Sequence, residues 1–311
     1  MMTEMNPRAG STQAQSRLPS FLIIGVPKAG TTSLAAYLAG HPDIFMSREK
    51  ELHFFDRDEK DERWYREQFL DAGAATAVGE ATPTYILSRK ALSRMASLLP
   101  DAKLIVLMRD PVDRAYSHYW WNRPMYERRD FATAVRDETH HNASDRPLDG
   151  DDDSLYRTYT GGGRYLELLR RVFVHYPRGS VLPVFLEDLR RDPAGAYAEV
   201  CRFVGVEDAA PPPQLGTVIN PAYRLRSRRL RMAMLRSHAW RRLPFGLADR
   251  IDRMNRVPFT YPRMDEGLRA ELSQWFMPAN AMLAESLGRA LDGTGWIARR
   301  HSPGEDIDPI F

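Results

Sequence analysis

Residues 21 to 34 read FLIIGVPKAGTTSL: four apolar residues, a turn bounded by Gly25 and Gly30, then small and hydroxylated residues that open a helix. A buried strand running through a glycine-rich turn into a helix restricts the chain to few folds. The turn aims several backbone N–H groups and the positive end of a helix dipole at one point, which suits a phosphate or sulfate. Short apolar runs of the same kind recur at TAV (76 to 78), LIVLM (104 to 108) and VLPVF (181 to 185), as expected of buried parallel strands. Between them lie helical patterns, TTSLAAYLAG after the turn, SRKALSRMASLL before LIVLM and PVDRAYSHYWW after it, with Pro111 suited to a first helical turn. This alternation predicts an α/β fold: a P-loop-like parallel sheet with right-handed crossovers, flanked by helices on both faces.

No internal repeat or linker divides the 311 residues, and 43% hydrophobic content supports a substantial core. The expected organisation is a polar, disordered tail over 1–18, one domain over 19–300 with a mostly helical C-terminal third, and a flexible tail over 301–311. Lys and Arg (44) barely exceed Asp and Glu (41), yet the pI near 9 and the arginine bias point to anionic ligands. No block of basic and interleaved aromatic residues resembles a nucleic-acid module, so no nucleic-acid partner is expected. Cys201 is the single cysteine and, within AYAEVCRFVGV, reads as a buried structural thiol. No segment has the apolar length of a signal peptide or membrane span, and a cytoplasmic enzyme is the expectation. Residues 140 to 163 break the strand–helix alternation with acids and glycines; the acidic run 151–153 reads as a solvated loop, without the spaced His or Glu partners of a metal site.

Gly25 to Gly30 has the G-x-x-x-x-G spacing of a nucleoside-triphosphate loop, but Thr31 stands where that loop carries lysine. The lysine is earlier, at Lys28, inside the turn. After LIVLM, Arg109 stands where a metal-binding Asp would be needed. Phosphoryl transfer from ATP must neutralise a crowded polyanion and recruits Mg²⁺; a transferring sulfuryl group carries less charge, and lysine, hydroxyls and amides suffice without metal. The loop alone leaves a kinase-like and a sulfuryl-transfer enzyme both open.

GVPKAGTTSL, KELHFFD (50 to 56) and LMRDPVDRAYSHY (107 to 119), in that order, resemble the sulfotransferases that use 3'-phosphoadenosine-5'-phosphosulfate (PAPS), in the branch of the heparan sulfate N-deacetylase/N-sulfo- and 3-O-sulfotransferases and their bacterial relatives. The likeness runs from about residue 20 to about 205 and more weakly to about 296. It implies that Lys28, Ala29, Gly30, Thr31, Thr32 and Ser33 hold the 5'-phosphosulfate, with Lys28 near the bridging oxygen, and that Arg109 and Ser117 grip the 3'-phosphate. That second pair also makes sense unaided: arginine offers a planar fork, and Ser117 lies about two turns along the helix begun at Pro111. A surface ion pair is the plainer role for Arg109.

If KELHFFD is extended, Glu51, His53 and Phe55 share one face, bringing a carboxylate and an imidazole to the same space. The resemblance gives the general base to Glu51, with His53 and Asp56 as supporting contacts; a carboxylate merely paired with a neighbouring cation is the plainer reading. GEATPTY (79 to 85) departs from the animal heparan enzymes, which place a lysine at the position of Ala81, and this departure points away from a polysaccharide. Glu80 either orients a neutral acceptor or braces Lys28. VPFTYPRMD stands where those enzymes carry a lysine-containing cofactor loop. Residues 223 to 242 hold eight arginines and no acid, compatible with peripheral membrane contact, an amphiphilic acceptor, or a solvated helix with one packed face. The expected activity is PAPS-dependent sulfuryl transfer to a hydroxyl of a sugar, glycolipid or small metabolite, without metal, in a bacterial tailoring enzyme. The rivals are a P-loop kinase using ATP and Mg²⁺, and a non-catalytic anion-binding protein of the same fold.

Overall fold

The computed structural model describes residues 17–142, 158–207, 210–217, 219, 222–236 and 247–297. Residues 1–16 and 301–311 of the expected tails, residues 298–300, the acidic run 151–153 and residues 237–242 of the arginine-rich stretch lie outside the described residues.

Five parallel strands form the central sheet in the order β2-β3-β1-β4-β5: β1 Phe21–Gly25, β2 Ile44–Met46, β3 Ala77–Ala81, β4 Lys103–Met108 and β5 Val181–Phe185. Every residue of β1 and β3 is buried. Successive strand side chains point to opposite faces, so both faces must be covered. One group of mutually packed helices comprises Thr31–Leu38, Leu186–Arg191 and Pro193–Val204; the other comprises Arg89–Leu98, Tyr165–Phe173 and Glu266–Ser286. The α/β expectation holds.

Two departures from it have local causes. β2 has three residues and only Ile44 is buried, too short a stretch to give a periodic signal. In the C-terminal third, β6 Tyr223–Leu225 pairs antiparallel with β7 Arg256–Pro258, a ribbon absent from the helical expectation because its strands are three residues each and far apart in the chain. Cys201 is buried and free, as its apolar setting implied.

A second apolar cluster packs the helix Pro111–Asn122 against Phe131, Val135, Tyr159, Leu272 and Phe276. Asp110 caps this helix, accepting from the Asp113 amide at 2.8 Å, and Pro111 occupies its first turn. The cap fixes where Arg109 leaves β4 and where Ser117 falls two turns later.

Candidate active site

β1 sits between β3 and β4, so the chain leaves the sheet in opposite directions from neighbouring strands and a crevice opens at their carboxyl ends. Residues after β1 (Lys28 to Ser33), after β3 (Pro83, Thr84), after β4 (Arg109) and after β5 (Leu186, Arg190) all line one cavity of about 350 Å³. That volume is in the range that holds a small-molecule ligand.

The turn between β1 and the helix Thr31–Leu38 is built on two left-handed residues, Lys28 (φ 72°) and Gly30 (φ 95°). A β-carbon at Gly30 would lie 2.8 Å from Leu186 Cδ1, so glycine is needed for its dihedral and for space. A left-handed lysine is uncommon. Burial, with Arg109 as like-charged neighbour, lowers the Lys28 ammonium from 10.5 to about 8. It lies 5.9 Å from the ring centre of Trp121 and makes no ion pair among the described residues.

Arg109 reaches back toward this turn, its Nη1 3.5 Å from the Lys28 carbonyl, with Asp113 3.7 Å away; its buried Nε has no hydrogen-bond partner. Ser117 and Tyr261 both line the cavity. VPFTYPRMD therefore reaches the site through an aromatic ring where the family loop brings lysine. Three contributors escaped the sequence reading. Arg190 adds a further guanidinium to the cavity wall. His118 sits beneath it, held well below its ordinary pKa by burial and by Arg114 and Lys28. Arg114, fully buried, donates to the carbonyls of Thr158 (3.3 Å), Pro27 (3.4 Å) and Tyr159, tying the turn after β1 to the TGGG segment. Its signal was present in Gly162, where a β-carbon would lie 3.0 Å from the Arg114 guanidinium.

KELHFFD is not extended. Glu51 (φ 63°) and His53 (φ 52°) are both left-handed, and the segment is a loop pinned by the Glu51 amide to the Ala81 carbonyl (3.0 Å) and by Lys60 Nζ to the Leu52 carbonyl (2.9 Å). Phe55 is buried with Leu52 and Phe54, so it does not share a face with Glu51. The carboxylate and imidazole meet nonetheless, through the kinked backbone. Lys50 Nζ donates to Glu51 Oε1 at 2.6 Å, His53 Nε2 lies 3.8 Å from Glu51 Oε2, His53 Nδ1 is 3.0 Å from Asp56 Oδ2, and Thr84 Oγ1 donates to that same oxygen at 2.7 Å. Burial opposes the charges of both residues, but pairing wins: His53 and Lys50 hold Glu51 at about 2, while Asp56 and Glu51 raise His53 to about 9. Near neutral pH Glu51 is a carboxylate and His53 an imidazolium. Of the cluster, Glu51 and Thr84 line the cavity.

Glu80 takes neither expected role. It is fully buried within β3, accepts from Tyr65 (2.8 Å) and Thr82 (3.2 Å), and burial raises it to about 7 despite those bonds. The arginine-rich stretch is likewise divided. Arg228 donates to the Met125 carbonyl (2.9 Å) and Arg231 to Asp252 (2.7 Å), whereas Arg224, Arg226 and Arg229 are exposed.

The fold is an α/β domain whose cavity at the carboxyl ends of the strands is cationic on one side and carries an ionised carboxylate on the other. The chain belongs to the sulfotransferase family: the family description "Sulfotransferase domain" matches residues 18–216. It is 36% identical over 200 residues to mouse heparan sulfate glucosamine 3-O-sulfotransferase 3B1, covering 64% of this chain and 48% of that protein. It is 32% identical over 200 residues to human bifunctional heparan sulfate N-deacetylase/N-sulfotransferase 3, covering 61% of this chain and 22% of that protein. The match thus spans half or less of the length of these curated relatives. Among solved structures, a sulfotransferase from Alicyclobacillus acidocaldarius superposes with a TM-score of 0.61 at 27% identity, covering 89% of this chain and 99% of that one.

Proposed function

We propose that the protein transfers a sulfuryl group from PAPS to an acceptor hydroxyl. The observation that carries this is the donor set of the main cavity: Lys28 without an ion pair among the described residues, the orphaned buried Nε of Arg109, and the hydroxyls of Thr31, Thr32, Ser33 and Ser117 converge where a strand meets a helix. These residues fit the group. Lys28, Ala29, Gly30, Thr31, Thr32 and Ser33 would hold the 5'-phosphosulfate, and Arg109 and Ser117 the 3'-phosphate. PAPS, when bound, supplies an activated sulfuryl group on a phosphate leaving group.

The protonated Lys28 neutralises charge that grows on the leaving oxygen. Glu51 receives the acceptor's proton. A carboxylate held near 2 is a weak base, so it takes the proton late, once the acceptor oxygen has become acidic by bonding to sulfur. His53, already protonated at neutral pH, cannot serve as the base; it orients Glu51 from between that carboxylate and Asp56. A bacterial tailoring role in the cytoplasm belongs to the same proposal, its bacterial part supported by the Alicyclobacillus likeness.

The test is product formation with PAPS and a panel of hydroxyl acceptors, followed by mass spectrometry, in excess EDTA. A sulfated product that survives chelation is expected. A phosphorylated product formed only with ATP and Mg²⁺ would return the kinase.

A further inference from the structure

We infer that the acceptor carries its hydroxyl on an uncharged aromatic group, or an apolar group of comparable size, seated in a second cavity beside Lys28. This rests on the sulfotransferase reading and narrows its acceptor. The second cavity, of about 100 Å³, shares Lys28, Trp121 and Tyr261 with the main one, so a molecule seated in it would present its near end at the amine. Cavities of roughly this size, when lined by apolar groups, accept a single aromatic ring.

Its lining side chains are mostly aromatic and aliphatic, and its surface is about as polar as it is apolar. In β6 the strand alternation turns Tyr223 and Leu225 into the cavity and leaves Arg224 exposed. Met125 and Tyr126 close the opposite side. Trp121 and Tyr126, 38% and 46% exposed, both belong to this one cavity, a concentration of exposed aromatic surface that marks a binding site. None of the lining residues is acidic, and the charged ones are Lys28 and Arg231. Arg231 is committed to Asp252, so a polyanionic sugar chain would meet one unpaired cation here.

The walls are also fixed before anything binds. Tyr261 stacks on Trp120 at an interplanar angle of 11°, Tyr116 donates to the Pro262 carbonyl at 3.0 Å, and Arg228 donates to the Met125 carbonyl at 2.9 Å. A preformed slot loses less freedom when an aromatic ring enters. In the transfer, the acceptor oxygen bonds to sulfur, the bond from sulfur to the bridging phosphate oxygen breaks, the hydroxyl proton passes to Glu51, and adenosine 3',5'-bisphosphate leaves.

The experiment is calorimetric titration of the protein with 4-ethylphenol, alone and saturated with adenosine 3',5'-bisphosphate, beside an N-sulfated heparan hexasaccharide. Saturable one-to-one binding of the phenol is expected. Met125→Trp, which fills the slot, and Tyr126→Glu, which places a carboxylate at a half-exposed position of its wall, should each weaken it by about tenfold or more, with nucleotide affinity unchanged. Absence of phenol binding in both titrations, phenol binding equal in both variants, or hexasaccharide binding indifferent to them would overturn the inference. Failure of the unmodified protein to bind the nucleotide would instead sink the sulfotransferase reading, and the phenol titration alone would still decide the cavity.

Discussion

Raising the pH should strip the protein of its nucleotide affinity through Lys28. Holding an ammonium in the cavity lowers its pKa from 10.5 to about 8, a differential cost of roughly 3 kcal/mol against the charged form. A bound anion favours that charge again, so the bound-state pKa lies above the free one. Between the two values binding takes up a proton, and the association constant for adenosine 3',5'-bisphosphate should fall by up to about tenfold per pH unit. The phosphates themselves titrate near pH 6, below this window. His53, raised to about 9, loses its charge inside it and contributes a smaller slope, while Glu51 stays ionised throughout. Isothermal titration calorimetry from pH 6.5 to 9.5, in two buffers of different ionisation enthalpy, reads both affinity and proton uptake. Lys28→Met should bind more weakly and lose most of the slope. An affinity constant from pH 7 to 9.5 in the unmodified protein would refute the reasoning.

Glu51→Gln should lower kcat by about 10² to 10⁴ with nucleotide affinity nearly unchanged, and His53→Gln should cost less; the reverse order, in single-turnover assays, would move the base to His53. Gly30→Ala should reduce stability by about 1–3 kcal/mol in chemical denaturation, since it forces alanine into a left-handed turn against Leu186. Arg231→Ala should lower the melting temperature by breaking its pair with the buried Asp252, whereas Arg229→Ala should stay within about 0.5 kcal/mol of the parent. Contact of 223–242 with anionic lipid would run through the exposed Arg224, Arg226 and Arg229, so replacing all three with alanine should abolish salt-sensitive vesicle co-sedimentation.

The sheet was legible because its central strands are apolar on both faces, and the cradle because Gly25, Lys28 and Gly30 impose a turn before a helix. Arg109 and Ser117 could be paired from one helical spacing anchored by Pro111. KELHFFD shows where a local pattern misleads: alternation suggested a strand, but Glu51 and His53 turn left-handed so that Phe54 and Phe55 can both be buried. Glu80 stands between Gly79 and Ala81, and nothing local distinguishes a buried carboxylate bonded to Tyr65 from an exposed one. Arg190 and Tyr261 reach the site from distant segments through the packing of the chain onto the sheet, while Arg114, on the helix that carries Ser117, shows its role only in its bonds to the Pro27, Thr158 and Tyr159 carbonyls.

The central claim is that this cradle reads a nucleotide with phosphates at both the 3' and 5' positions, and its most direct test is the ratio of two affinities. Calorimetric titration at pH 7 should give adenosine 3',5'-bisphosphate a much tighter dissociation constant than adenosine 5'-monophosphate. Arg109→Ala should remove most of that preference, a loss of roughly 1.5–3 kcal/mol for a charge-assisted contact, and Arg190→Ala should reduce it by less. Equal affinity for the two nucleotides in the unmodified protein would contradict the account.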